Sequence, residues 1–352
     1  EAKLFEYLDL LAISTCADIV PITDENRIFV HYGLKKINEN PRLSIQVMKE
    51  LSDIRNPEMT VMDVVFTFAP RINAAGRISS GKKAVEMLVA EDRAAIEEVG
   101  QKINTYNEER RGLDKSITEE ALSFFIDNEE MLNRKSTVLF KEDWHKGVIG
   151  IVASRLIETH YKPTIILTES NGKATGSART VEGFDVYNAI DACSDLLEQF
   201  GGHTAAAGLT LKKENINAFI KKFEEVVNEQ IDEELLTPVV DIDAELTLSQ
   251  IDDKFNRVLK QFAPFGPHNM RPVFKTENVL VDYVGLVGDN HLKMTVFEAE
   301  NPTHKLSCIG FNLGKYVNDL APGVPFSIAY NIEENHWNGQ TTLQLNVKDL
   351  KV

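Results

Sequence analysis

The chain has 352 residues, 43% of them hydrophobic and 26% charged, which is ample for a large core and excludes a disordered or fibrous chain. Lys and Arg number 38 against 54 Asp and Glu, so the net charge of −16 argues against nucleic-acid binding by overall charge without excluding it, since local Lys and Arg or a metal-lined cleft with the acid placed elsewhere still suit a strand. No stretch approaches the ~18 uninterrupted apolar residues of a membrane span. Cys16, Cys193 and Cys308 lie too far apart for a disulfide scaffold or a zinc ribbon and suit a reducing, cytoplasmic compartment.

The chain opens at Glu1 directly in an apolar segment and reads as a piece of a longer protein. Residues 8–17 have helical apolar spacing, 21–26 form a turn, and Ile28, Val30, Leu34 and Ile37 mark another short element. Helices are expected over 43–68, broken at Asn56-Pro57, and residues 69–77 are expected to form a loop whose small residues let backbone come close to something. Residues 82–128 favour a long connecting helix, interrupted near Gly100 and Gly112.

From 136 to 212 strands and helices alternate, the grammar of a small α/β domain. Strands are expected at 138–140, 164–167 and 175–179, and helices at 148–160 and 185–200, the second stopped by Gly201-Gly202. Residues 215–231 are amphipathic through Ile216, Phe219, Ile220, Phe223, Val227 and Ile231. After Pro238 come short strands at 239–240, 279–281, 294–296, 306–309, 326–329 and 343–345, separated by turn residues. They point to a small closed barrel, with the OB-fold the leading candidate.

Four constellations could carry chemistry. Asp18 closes an apolar segment, where a carboxylate suits a divalent metal; the bland alternative is a turn aspartate. Arg71 and Arg77 flank small residues as a phosphate clamp would, against a plain surface loop whose arginines pair with local acids. His145 precedes glycines that open a helix, and Ser177 and Arg179 follow in Gly176-Ser177-Ala178-Arg179, a pattern able to offer amides to an anion. His203 stands in Gly201-Gly202-His203-Thr204-Ala205-Ala206-Ala207-Gly208, which packs tightly around one imidazole; a satisfied core histidine is the alternative.

In order, the runs LLAISTCAD, APRINAAGR, HKGVIGIVASRL, GSAR and GGHTAAAG closely resemble the RecJ family of the DHH phosphoesterase superfamily, over essentially the whole chain. The resemblance implies an α/β fold: the end of a DHH-type catalytic domain (1–80), a connecting helix (81–131), a DHH-associated substrate-binding domain (132–236) and a C-terminal OB-like β-barrel (237–352). It implies a 5′-to-3′ single-stranded-DNA exonuclease of DNA repair and recombination, with a two-metal Mn2+ or Mg2+ site. Asp18 then matches a catalytic metal ligand. Arg71, Asn73, Arg77, His145, Ser177, Arg179 and His203 match residues that grip substrate phosphates. Single-stranded DNA is the implied partner, with single-strand-binding protein or a helicase as further ones and no membrane.

Bases would stack on barrel aromatics, with Phe262, Phe265, Phe274 and Trp337 as candidates and core packing as the alternative for most of them. Ser14 and Ala178 stand where the family has glycine. The family's Asp-His-His motif does not occur, and Asp18 alone cannot hold two metals, so the chain by itself is expected to be inactive or nearly so. The competing readings are a non-catalytic single-strand-binding module and a DHH-family oligonucleotide or cyclic-dinucleotide phosphodiesterase, the latter having no need of a barrel that guides a strand.

Overall fold

The structure is a computed structural model that describes every residue except Glu1, Arg55, Asn56, Pro57, Ser79 and Asn338, and every other side chain except those of Ala2, Lys3, Arg77, Ile78 and Trp337. The chain begins with α1 (Ala2–Phe5), α2 (Leu8–Ala17) and α3 (Asp24–Glu39). α3 sets Asp24 and Glu25 in its first turn and Lys36 in its last, as the helix dipole favours, and buries Val30, Gly33, Leu34 and Ile37 at helical spacing. Then come α4 (Leu43–Leu51), α5 (Val61–Asp63), a π-helical turn at Val64–Phe68, α6 (Ala69–Ile78), α7 (Gly81–Val89) and α8 (Arg93–Ser123).

Two expectations fail in this helical part. Residues 69–77 form helix α6, not a loop: Pro70 follows directly on the π-helical turn at Val64–Phe68, where the regular α-helical bonding is already interrupted, and Ala74 and Ala75 are wholly buried. Their small size serves helix packing against α8. α8 itself runs unbroken past Gly100 and Gly112. A Cβ on Gly100 would fall 2.6 Å from Leu51 Cδ1, so this glycine lets helices approach rather than stopping one. The real break is at residues 90–92, where the Asp92 carboxylate accepts from the Ala95 amide (2.8 Å) and caps α8.

The α/β part contains α9 (Glu129–Asn133), β1 (Thr137–Phe140), α10 (Ile149–Thr159), β2 (Thr164–Ser170), β3 (Lys173–Arg179), α11 (Val186–Asp191), β4 (Leu197–His203), β5 (Ala206–Leu211) and α12 (Ile216–Gln230). The helix expected over 185–200 ends at Asp191, and Gly201-Gly202 belong to a strand. Ladder pairing of β4 with β5 in a hairpin overrides the local helical spacing. The last elements are β6 (Ala244–Glu245), α13 (Asp253–Lys260), β7 (Phe274–Val287), β8 (His291–Glu298), β9 (Asn301–Gly310), β10 (Phe326–Trp337) and β11 (Gln340–Lys351). Val239-Val240 is not a strand; the short pairing falls at β6 instead.

By contacts the chain divides into two compact units. One comprises Glu1–Asn40, Glu58–Val65 and Val239–Val352, the other Pro41–Pro57 and Phe66–Pro238. In the first, β7, β8, β9, β11 and β10 follow one another around a barrel that closes where β10 pairs back onto β7. β9 and β11 are parallel and the other neighbours antiparallel, the arrangement of an OB-fold. The interior is filled by Val279, Leu292, Met294, Val296, Ile328 and Leu345. Tyr330 is fully buried there; its hydroxyl meets Thr276 Oγ1 at 2.7 Å, and burial pushes its pKa up to about 12.

In the second unit a five-stranded sheet runs in the order β1-β2-β3-β5-β4, parallel only between β1 and β2. Alternation along β2 separates its faces: Ile165 and Leu167 join the core under α11 and α12, whereas Ile166 packs with α10 and the end of α8. At the end of α10, His160 stacks on Phe125 with ring centroids 3.9 Å apart, and burial, aided by Lys162, lowers its pKa.

The folded state therefore favours the neutral imidazole, and its contribution is present above the ordinary histidine range and lost as pH falls through the lowered folded value. Urea midpoints at pH 8 and pH 5 are expected to differ less in His160→Phe than in the parent chain; an equal loss in both would show that His160 carries no part of the acid sensitivity.

Cys16, Cys193 and Cys308 are free and buried, and burial raises their thiols, to about 12 for Cys16 and about 11 for Cys193. Among the described residues no helix is long and apolar enough to cross a membrane.

Candidate nucleic-acid interface

The second unit's sheet has one face open over β3, β5 and β4. The side chains on it follow from register: Ser177 pairs with Gly208, which pairs with Gly201, and Arg179 pairs with Ala206, which pairs with His203. The result is a floor of Gly201, Gly208 and Ala206, edged by Ser177 and Arg179 on one side and His203 on the other. Gly201, Gly208 and His203 are exposed, while Ser177 and Arg179 are half-buried. A Cβ on Gly201 would meet nothing within 4 Å, and one on Gly208 would meet only the Gly176 carbonyl oxygen at 3.9 Å. Gly202 differs: its φ is 157° and a Cβ would lie 2.3 Å from the Ala206 carbonyl oxygen, so the fold itself demands glycine there.

The first turn of α10 closes one end of the floor. A Cβ on Gly150 would lie 2.9 Å from Ser177 Oγ and 3.1 Å from Arg179 Nη2. Arg179 Nη1 donates to Ser177 Oγ (3.1 Å) and to the Ala178 carbonyl (2.7 Å), which sets the guanidinium beside the helix start. The loop before α10 is pinned from within: Trp144 is buried with its Nε1 donating to Glu120 (2.7 Å), and Thr168 Oγ1 donates to the Trp144 carbonyl (2.6 Å). Pinning leaves the next residue, His145, exposed.

His145 Nδ1 accepts from the Gly147 amide (3.1 Å), and His203 Nδ1 accepts from the Ala205 amide (3.3 Å). Each ring is thus held with its proton on Nε2, which turns a donor outward. A guanidinium, a hydroxyl, the His203 imidazole and the start of α10 around a bare backbone floor, with the exposed His145 in the loop before that helix, suit a phosphodiester.

Arg71 belongs to a different part of the same unit. From α6 its Nε donates to Asn104 Oδ1 (2.8 Å) and its Nη1 to the Thr67 carbonyl (2.7 Å), while Asn104 holds the Leu51 carbonyl (3.0 Å). Burial first, then the neighbouring Arg111, lowers its pKa, with Glu108 opposing. Asn73 is exposed on the same helix, and the side chain of Arg77 lies outside the described residues. In the other unit Asp18 is exposed at the C-terminal end of α2, whereas Asp9 on that helix is fully buried, 3.9 Å from Lys36.

Among the described residues no three or more His, Cys, Asp and Glu side chains converge to hold a metal ion. Asp18 by itself does not fit a metal centre, and no hydrolytic step is assigned to this chain's residues.

The sequence singles out Ser177, Arg179 and His203 and misses the floor between them, although the small residues 206 and 208 recur with strand period. Asn104, the partner of Arg71, carries no sequence signal. On the barrel, Phe274 is core, packed 5.6 Å from Phe255, because its strand position faces inward. Phe262 is exposed, Phe265 lies under Arg271 at 5.0 Å, and the Trp337 side chain is outside the described residues. Exposed aromatics that sequence reading misses include Tyr283 and Phe311, and the half-buried Phe297 lies 5.9 Å from Lys305 Nζ.

Two family models match the chain: a DHHA1 domain over residues 133–229 and a RecJ OB domain over 242–349. The single-stranded-DNA-specific exonuclease RecJ of Bacillus subtilis is 36% identical over 351 residues, 99% of this chain and 44% of that protein. The protein of the same name from Haemophilus influenzae is 30% identical over 97% of this chain and 61% of its own length. The crystal structure of RecJ in complex with Mn2+ from Thermus thermophilus superposes with a TM-score of 0.84 at 26% identity, covering 99% of this chain and 50% of that one. A second crystal structure of the Thermus protein holds Mg2+, at a TM-score of 0.81 and 26% identity over 99% of this chain and 52% of that one. The chain spans about half the length of the curated relatives it matches.

Proposed function

The chain belongs to the RecJ family, and from that premise we propose that it is the substrate-gripping part of a 5′-to-3′ single-stranded-DNA exonuclease acting in DNA repair and recombination. The observation that carries this reading is the open Gly201–Ala206–Gly208 floor bordered by Ser177, Arg179 and His203. Arg179, Ser177, His145 and His203 hold backbone phosphates; Arg71, Asn73 and Arg77 supply a second contact from α6. In this reading 1–80 belong to the catalytic domain, 81–131 connect, 132–236 grip the strand and 237–352 guide it.

Asp18 contributes one carboxylate to a two-metal site whose other ligands come from the part of the family's length that this chain does not span. The metal, Mn2+ or Mg2+ as in the solved Thermus relatives, supplies the activation of water when bound. Single-strand-binding protein or a helicase would deliver the strand in the cytoplasm.

Binding of a 5′-labelled single-stranded oligonucleotide tests the grip, and Mn2+-dependent cleavage tests the division of labour. The chain is expected to bind without cleaving, and a chain carrying the relatives' additional length to cleave. Arg71→Glu combined with Arg179→Glu is expected to weaken binding at least ~10-fold and to flatten its salt dependence, since guanidinium–phosphate contacts displace counterions. Unchanged affinity in the double variant would remove both arginines from the interface. Cleavage by the chain alone would mean that its own residues complete the metal site.

A further inference from the structure

The turn that follows Asp18 is unusual in its backbone. Ile19 adopts φ of 56° and Asp24 φ of 45°, left-handed conformations, and the first belongs to a β-branched residue that rarely enters that region. Such a conformation persists only where its surroundings over-determine it. Between these two residues and just after them, Ile22 and Arg27 meet residues more than two hundred positions away, in the same compact unit.

The loop from Gln261 to Asn269 leads from α13 towards the barrel and closes on the turn. The Ile22 amide donates to the Pro267 carbonyl (2.7 Å), and Ile22 is fully buried. A Cβ on Gly266 would fall 2.5 Å from Ile22 Cγ1, so backbone and side chain meet without a gap. Arg27, in the first turns of α3, donates through Nη2 to the carbonyls of Gln261, Phe262 and Ala263, each at 3.2 Å. The loop is stiffened from inside: Gly266 and Asn269 exchange backbone hydrogen bonds, and Asn269 Nδ2 donates to the carbonyls of Phe262 (3.0 Å) and Pro264 (2.9 Å).

We propose that the 261–269 loop, held by Arg27 and seated on Ile22 through Gly266 and Pro267, is the positioning element that fixes the turn carrying the Asp18 carboxylate. The OB-containing part of the chain thereby sets the geometry of a catalytic-domain residue as well as guiding a strand. Arg27, Gly266 and Pro267 act through the turn. The inference rests on the reading of Asp18 as a functional carboxylate, but its test reads the turn directly.

The test is amide hydrogen exchange on the full chain in Arg27→Ala, Arg27→Lys and Gly266→Ala. Exchange over residues 18–24 is expected to accelerate about tenfold in Arg27→Ala and Gly266→Ala, with the barrel strands unchanged. Arg27→Lys, which keeps a donor near the three carbonyls, is expected to fall between parent and alanine variant. Unchanged exchange over 18–24 in both disruptive variants overturns the proposal. So does acceleration of turn and barrel together, which would mean that these residues only stabilise the unit. Failure of the functional reading would appear in oligonucleotide binding and cleavage, which the exchange measurement does not involve.

Discussion

Gly208→Val is expected to leave the thermal midpoint of the chain unchanged or slightly raised while weakening single-stranded oligonucleotide binding by ~10-fold or more. The stability half follows from space and conformation. A Cβ at this position meets only the Gly176 carbonyl oxygen, at 3.9 Å, and the residue does not occupy the left-handed region. Replacing a strand glycine by a β-branched residue on an open face where the Cβ meets no clash gains roughly 0.5–1 kcal/mol of backbone entropy and strand preference.

The binding half follows from what remains once the fold's demands are removed. Gly201, facing Gly208 across the hairpin, is equally unconstrained, and both are exposed. Two glycines that the protein does not need for itself make sense where a ligand lies against bare backbone between Arg179 and His203. Fluorescence anisotropy at fixed salt, beside a melting curve, checks both halves. Retained affinity in Gly208→Val would mean that the strand passes elsewhere.

How far this site was legible beforehand depended on whether chemistry or register placed each residue. Ser177, Arg179 and His203 stand in runs dense with polar and small residues, so their motifs are visible to inspection. The floor is invisible until β4 is known to be a strand, because a helix over 185–200 with a glycine stop fits the local pattern equally well. Pairing with β5 is a tertiary fact, and it alone puts Gly201 opposite Gly208.

The barrel was legible because each of its strands ends in turn residues, and β7 to β11 all contain the runs expected. Phe274 shows the limit. Its neighbours do not say which side of β7 faces inward, and the bulge after Val281 shifts the pattern further along the same strand. Helix α6 shows another: small residues around a proline read as a loop unless α8 is known to lie beside them.

Gly33→Ala is the opposite case: a single added methyl there is expected to destabilise the first unit by ~2–4 kcal/mol. A Cβ there would lie 2.3 Å from the Leu8 carbonyl oxygen and 2.4 Å from Ala12 Cβ, both on α2. Neither atom is the far end of a flexible side chain, so the helices must separate. Separation also loosens what the contact holds. Asp9 on α2 is fully buried and sits 3.9 Å from Lys36 on α3, whose Nζ also donates to the Glu6 carbonyl at 2.5 Å.

Drawing the helices apart weakens the pairing of a buried carboxylate at the same time as it opens a void, and α2 is the helix that presents Asp18 at its end. Urea unfolding of Gly33→Ala and Gly208→Ala side by side separates the two kinds of glycine: a loss confined to Gly33→Ala is expected. An unfolding free energy for Gly33→Ala within ~0.3 kcal/mol of the parent would show that α2 can shift without penalty, and the position of Asp18 would then not depend on this helix contact.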